Sequence, residues 1–201
     1  MKRDNKIKVC RILAVVFLCF WTISGVRVLA QNATSILDKA ASAYEDSNGL
    51  TAYFTMQTRS DVQKVSESFD GTVDIKGDKF VLKTPDMITW FDGTTQWSFV
   101  ERNEEVNVST PTGEELQATN PALLLRSYEK GFTAKYKGES TAPSGKAAHD
   151  IELVPKKKSD IVRVELQIEK FSGFPASIAV FSKNGISSTI RISKMKTGVN
   201  Q

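Results

Sequence analysis

Beyond Leu50, apolar and polar residues alternate along most of the chain. Leu50, Ala52, Phe54 and Met56 interleave with Thr51, Tyr53, Thr55 and Gln57, and Phe69, Gly71, Val73 and Ile75 with Asp70, Thr72, Asp74 and Lys76. A period of two is the signature of a strand with one face buried. Phe80 and Leu82 continue the pattern after a Gly77-Asp78 turn. Met87–Phe91, Thr95–Val100 and Glu105–Ser109 follow, separated by turns at Asp92-Gly93 and Arg102–Glu104. Asp-Gly between apolar runs predicts a hairpin. Five more strands are predicted over Phe132–Lys137, His149–Val154, Ile161–Glu169, Pro175–Phe181 and Ile186–Met195. In the third of these, Val162, Val164, Leu166 and Ile168 oppose Arg163, Glu165, Gln167 and Glu169. One greasy face and one charged face imply an antiparallel sheet wetted on one side.

Two segments break the period. Thr34–Ser47 places Ile36, Leu37, Ala40, Ala41 and Tyr44 at helical spacing, with Thr34 as the expected cap and Asn48-Gly49 as the stop. Asn120-Pro121 opens a second helix carrying Leu123, Leu124, Leu125 and Tyr128, and Gly131 closes it. The prediction is a mainly β fold of about eleven strands with two or more helices. Two helices are too few to cover both faces of such a sheet. The expected architecture is therefore an incomplete, strongly curved antiparallel β-barrel with the helices over its concave apolar face. Alternation fixes which residues share a face, but not which face is concave.

The first thirty residues change the charge balance. Lys2, Arg3, Lys6, Lys8 and Arg11 precede an uncharged apolar run over Ile12–Val26, followed by Val28-Leu29-Ala30. This is the pattern of a secretory signal peptide cleaved after Ala30. An uncleaved membrane anchor is the alternative, favoured by Arg27. The leader holds six of the 27 basic residues and one of the 23 acidic ones, so Gln31–Gln201 has a net charge of −1. The chain's overall excess of positive charge is no footprint for nucleic acid. Cys10 and Cys19 both lie in the leader, preceded by Val9 and Leu18 rather than the small residue a lipidation site requires. The expectation is a single exported domain over residues 31–201, periplasmic, without disulfides and without a lipid anchor.

Candidate chemistry is sparse. His149 stands beside Asp150, a pair that could orient a general base, but no Gly-x-Ser-x-Gly elbow accompanies it and residues 31–201 contain no cysteine. One histidine without cysteines makes a poor zinc set, and neither a calcium loop nor a glycine-rich phosphate loop occurs. Glu104-Glu105, Glu114-Glu115 and Lys156-Lys157-Lys158 fall in polar turns. No cofactor and no enzyme activity are expected. The aromatics are more suggestive: Trp90 and Trp97 flank the Asp92-Gly93 turn, with Phe91 and Phe99 nearby and Phe54, Phe69 and Phe80 on earlier strands. They fit either an ordinary core or the walls of an apolar pocket.

Several of these stretches together resemble the periplasmic outer-membrane lipoprotein carrier family, the LolA-like proteins, over about Ser35–Lys194. They are Leu50-Thr51-Ala52-Tyr53-Phe54-Thr55-Met56-Gln57, Phe69-Asp70-Gly71-Thr72-Val73-Asp74-Ile75-Lys76 with Phe80 after it, and Asn120-Pro121-Ala122-Leu123-Leu124-Leu125. The hairpin Asp92-Gly93-Thr94-Thr95-Gln96-Trp97-Ser98-Phe99 is the most specific, and Asn184-Gly185-Ile186-Ser187-Ser188-Thr189-Ile190 completes the order. Where that family has Lys-Arg-Pro after the second strand, this chain has Lys76-Gly77-Asp78.

The resemblance implies a half-barrel with a helical lid and a cavity for lipoprotein acyl chains. Phe54, Met56, Val73, Ile75, Phe80, Leu82, Trp90, Trp97, Phe99 and Leu124 are the expected lining. It implies a monomeric carrier that receives lipoproteins from an inner-membrane releasing complex and passes them to an outer-membrane acceptor. A lipid-sensing or protein-interaction module on the same fold, without carrier activity, is the alternative.

Overall fold

The structure, a computed structural model, describes residues 24–112 and 121–198. Eleven strands form one antiparallel sheet: β1 (Leu50–Ser60), β2 (Val65–Lys76), β3 (Lys79–Lys83), β4 (Met87–Phe91), β5 (Gln96–Val100), β6 (Glu105–Ser109), β7 (Phe132–Thr141), β8 (Ala147–Pro155), β9 (Ile161–Glu169), β10 (Pro175–Ser182) and β11 (Ile186–Thr197). Their spatial order is β6-β5-β4-β3-β2-β1-β11-β10-β9-β8-β7. Two meanders, β1–β6 and β7–β11, are joined at the centre by β1 and β11, which pair from Leu50↔Thr197 to Ser60↔Ile186. The outer strands β6 and β7 do not pair with each other, so the barrel stays incomplete, as the sequence predicts.

Helix α1 spans Ser24–Asp46 and α2 spans Pro121–Gly131. Strand positions agree with the sequence pattern to within a few residues, whereas α1 begins ten residues before the expected cap. Thr34 therefore lies inside a helix rather than at its start, because nothing in Ser24–Ala33 breaks a helix: it holds one glycine and no proline. The stop is as predicted, with Asn48 at φ 50° and Gly49 at φ 95°. The basic and apolar parts of the predicted leader, up to residue 23, lie outside the described residues, while Ala30 falls within α1. Among the described residues no helix is long and apolar enough to cross a membrane.

The core forms on one face of the sheet, the inner face. Ala33, Ile36, Leu37 and Ala40 of α1 and Leu124, Leu125 and Tyr128 of α2 bury against Ile151, Leu153, Val164, Leu166, Ile168 and Ile178 of β8–β10. A second cluster unites Tyr44 with Leu50, Ala52, Phe54, Val73, Ile75, Phe80 and Phe91 of β1–β4. Ile190 on β11 packs against both. The segment from Ser109 to Phe132 links the two open edges of the sheet. Lys156 fastens the end of α2: its ammonium donates to the Glu129 carbonyl and its N–H donates to the Gly131 carbonyl at 2.8 Å.

Gly71 is demanded by close approach. It pairs with Phe54, and a Cβ there would lie 2.5 Å from Phe54 Cζ and 2.8 Å from the Lys83 carbonyl oxygen. The ring fills the space a side chain would occupy. Gly71→Val should cost about 1–3 kcal/mol in urea unfolding, from overpacking. In a Phe54→Ala background the same change should cost less, because the clashing ring is gone. Strict additivity of the two would show that ring and glycine do not meet.

Candidate apolar binding face

The register sorts the expected lining residues onto two opposite faces. Val73↔Leu82, Ile75↔Phe80 and Phe80↔Phe91 are direct pairs, and Met56 pairs with Phe69 and Ile190. Phe54, Met56, Val73, Ile75, Phe80 and Leu82 therefore share the inner face, and Leu124 meets the β8–β10 half of that face from α2. Phe80 and Phe91 stack with ring centroids 5.4 Å apart. Within this set, Phe54, Val73, Ile75, Phe80 and Leu124 are buried, while Met56 and Leu82 are half-buried.

Trp90, Trp97 and Phe99 are not part of that surface. Trp90 neighbours Phe91 in sequence and pairs with Val81 and Trp97. A neighbour in a strand points to the opposite face. Ile88↔Phe99↔Val106 and Trp97↔Val108 extend the same outer row. Trp90 is 39% exposed, Val106 57% and Val108 63%, and Trp97 and Phe99 are half-buried. Over β5 and β6 the inner face is largely polar instead, with Gln96, Ser98, Asn107 and Ser109, and Ser98 shares a 3.1 Å hydrogen bond with Thr89 of β4. The sheet thus exchanges its apolar side between β3 and β5. Over β1–β2 the outer face is polar, with Thr51 donating to Asp74 and Thr55 donating to Asp70 at 2.6 Å.

The helices cover only part of the inner face. They pack on each other and over β7–β10, burying against Phe132, Ile151, Leu153, Val164, Leu166, Ile168 and Ile178. Met56, Phe69, Leu82, Ile190 and Ile192 are half-buried around the second cluster, on the side where the helical layer contributes Tyr44 alone to the buried set. These residues offer an apolar surface bordering the lid. Phe69, Ile190 and Ile192 were not in the expected lining. Their period-two phase in β2 and β11 signals a buried face, but only the β1–β11 pairing brings them beside Met56.

The remaining candidates resolve simply. His149 Nδ1 lies 3.3 Å from the Tyr136 hydroxyl, and burial, then Lys170 and Lys39, hold its imidazole below the usual histidine value. Asp150 instead accepts from Ser140 at 2.7 Å and Gln167 at 3.3 Å, so no His149–Asp150 dyad forms. Lys156 is the α2 clasp described above. Gly77, in place of the family arginine, sits at φ 59° in the β2–β3 turn, a conformation that favours glycine.

Sequence and structure comparisons agree with this architecture. A family model described as outer membrane lipoprotein carrier protein LolA matches residues 23–185. The chain belongs to this family. No curated protein matches it by sequence. Among solved structures, it is similar to an uncharacterized conserved protein from Thermus thermophilus (TM-score 0.58, 15% identity, covering 85% of this chain and 90% of that one). It is also similar to the lipoprotein LppX of Mycobacterium tuberculosis (TM-score 0.50, 15% identity, 85% and 98% covered). A putative outer membrane lipoprotein-sorting protein domain from Vibrio parahaemolyticus aligns at TM-score 0.47 and 10% identity, over 86% and 94% of the two chains. At these identities the first two likenesses establish the fold the family shares.

Beside the inner face, Glu169 is nearly buried and accepts from Lys146 at 3.0 Å, Ser144 at 2.9 Å and Ser172 at 2.8 Å. Burial pushes its carboxyl up, but these donors outweigh burial and hold it below its ordinary 4.5. A depressed carboxylate contributes stability above its unfolded pKa and loses it as pH falls through the folded one. The stability gap between the protein and Glu169→Gln should be widest at neutral pH and close as the pH drops below 4.5. A gap independent of pH in urea unfolding would contradict this. Separately, Phe80→Ala should cost about 3–5 kcal/mol, and Trp90→Ala less than half as much, since its ring stays in partial contact with water. Equal losses would return Trp90 to the core.

Proposed function

We propose that the protein is a soluble periplasmic carrier that takes the acyl chains of lipoproteins onto its inner apolar face and conveys them toward the outer membrane. The observation that supports this most is the partial cover: the helices bury against β7–β10, while Met56, Phe69, Leu82, Ile190 and Ile192 around the second cluster stay half-buried. Chains of methylenes gain about 0.8 kcal/mol per buried CH2, so a carrier needs a surface of this kind. It also needs a lid that yields, because cargo must leave again. Met56, Phe69, Leu82 and Ile190 would meet the chain first, with Phe54, Val73, Ile75, Phe80 and Leu124 behind them.

In this reading the leader is removed after Ala30, the exported domain begins at Gln31, and the protein works as a monomer without a cofactor. An inner-membrane releasing complex would load it and an outer-membrane acceptor would unload it. A second reading, an interaction module on the same fold, draws support from the outer row of Val81, Trp90, Trp97 and Val108, of which Trp90 and Val108 are exposed.

Native mass spectrometry of the exported protein, purified without detergent, separates the two. The carrier should begin at Gln31 and retain acylated ligand. Met56→Asp with Leu82→Asp should weaken binding of a fluorescent acyl probe at least about tenfold, since a charge must then be buried against the chain. A ligand-free mass together with no probe uptake would favour the interaction module.

A further inference from the structure

The sheet splits near its centre. Strands β10 and β11 pair only from Ser177↔Arg191 to Phe181↔Ser187. Beyond Arg191, β11 continues along β1 alone, to Thr197. Both strands carry an irregularity where they part: β10 between Pro175 and Ser177, and β11 opposite the Tyr53/Phe54 step, leaving Ser193 unpaired. Bulges bend the strand that carries them. Two of them facing each other open a fork in the sheet wall, and a cleft of about 280 Å³ occupies it.

The cleft is amphipathic. Its apolar wall comprises Phe174, Ile192 and Met195, all packed against the cluster that holds Phe54 and Ala52. Its polar side carries Lys146 and Lys194. Glu169 also lines it, but its oxygens are already engaged by Lys146, Ser144 and Ser172. Among the described residues Lys194 has no ion-pair partner within 4 Å. The β11 edge beyond Arg191 has no ladder partner on the β10 side, so its backbone groups there remain available for hydrogen bonds. The cleft lies just under the ~300–1,000 Å³ range of small-molecule sites. It suits a head group and a few carbons rather than a whole chain.

We propose that this fork is a lateral binding site for an amphiphile with an anionic head on an acyl chain. The head sits against the Lys194 ammonium and the free β11 edge, and the first methylenes lie on Phe174, Ile192 and Met195. This rests on the carrier reading: the fork is where the inner apolar cluster can be reached through the sheet wall, apart from the lid. Met195 is the residue best suited to yield as a chain enters, because an unbranched thioether repacks readily.

The test uses the exported protein with parinaric acid, a fluorescent fatty acid, and its uncharged methyl ester. Lys194→Glu should weaken the acid about tenfold, as expected from reversing a charge near a carboxylate. It should leave the ester within about twofold, and Lys194→Arg should bind both as the parent does. Displacement of the acid by lauric acid, or by a lauroyl lysophosphatidylglycerol, tells whether a carboxylate or a phosphate head is preferred. Displacement by neither overturns the site. If Lys194→Glu binds the acid as tightly as the parent, the fork is not the site, while the carrier reading stands on the ester. If the parent binds neither probe, both proposals fall.

Discussion

The fold depends on one pairing, that of β1 with β11. These strands stand at opposite ends of the described sheet-forming chain, yet they run side by side over eleven residues of β1 at the middle of the sheet. Without them the molecule would be two separate meanders, each with an apolar face too narrow to bury. With them, Ile190 lies between Met56 and Ile178 and belongs to both core clusters. The pairing closes a loop of more than a hundred residues, an entropic cost that grows slowly with length. Long ladder pairing and a shared apolar seam offset it.

From that seam the two halves take different roles. The β7–β11 half is a conventional two-layer core: α1 and α2 lie on β8–β10, and Lys156 ties the end of α2 to the end of β8. The β1–β4 half buries its aromatics largely against one another, with Tyr44 and Phe174 as visitors. Beyond β4 the apolar side moves to the outer face. The molecule thus has a covered apolar face, a partly covered one beside it, and an exposed aromatic row at the far edge. A carrier that must hold a greasy chain and also meet other proteins has use for all three.

Much of this was legible in the sequence, for definite reasons. Most strands carry a period-two phase, and most turns carry glycine, asparagine or aspartate, although Lys64 and Glu104 take a positive φ without one. Element order and type therefore followed, down to the Asn48-Gly49 stop. The start of α1 did not, because Thr34 looks like a cap although the helix has no reason to begin there. The candidate surface was only half legible. Ile88 with Trp90, Trp97 with Phe99 and Val106 with Val108 alternate as cleanly as any core strand, and phase alone says nothing about which side faces in. Only the pairing of Phe91 with Phe80 decides it, placing Trp90 outside. The β10–β11 fork left no sequence signal, because bulges at Ala176 and Ser193 depend on how two distant strands diverge.

The central claim is that acyl chains meet the inner face rather than the aromatic row. Photo-crosslinking with an acyl chain bearing a terminal diazirine, followed by peptide mapping, tests it most directly. The account predicts adducts on the peptides of β1, β2 and β11 that carry Met56, Phe69 and Ile190. Adducts confined to the β4–β5 hairpin with Trp90 and Trp97, or protection of that hairpin alone by unlabelled lipid, would contradict it.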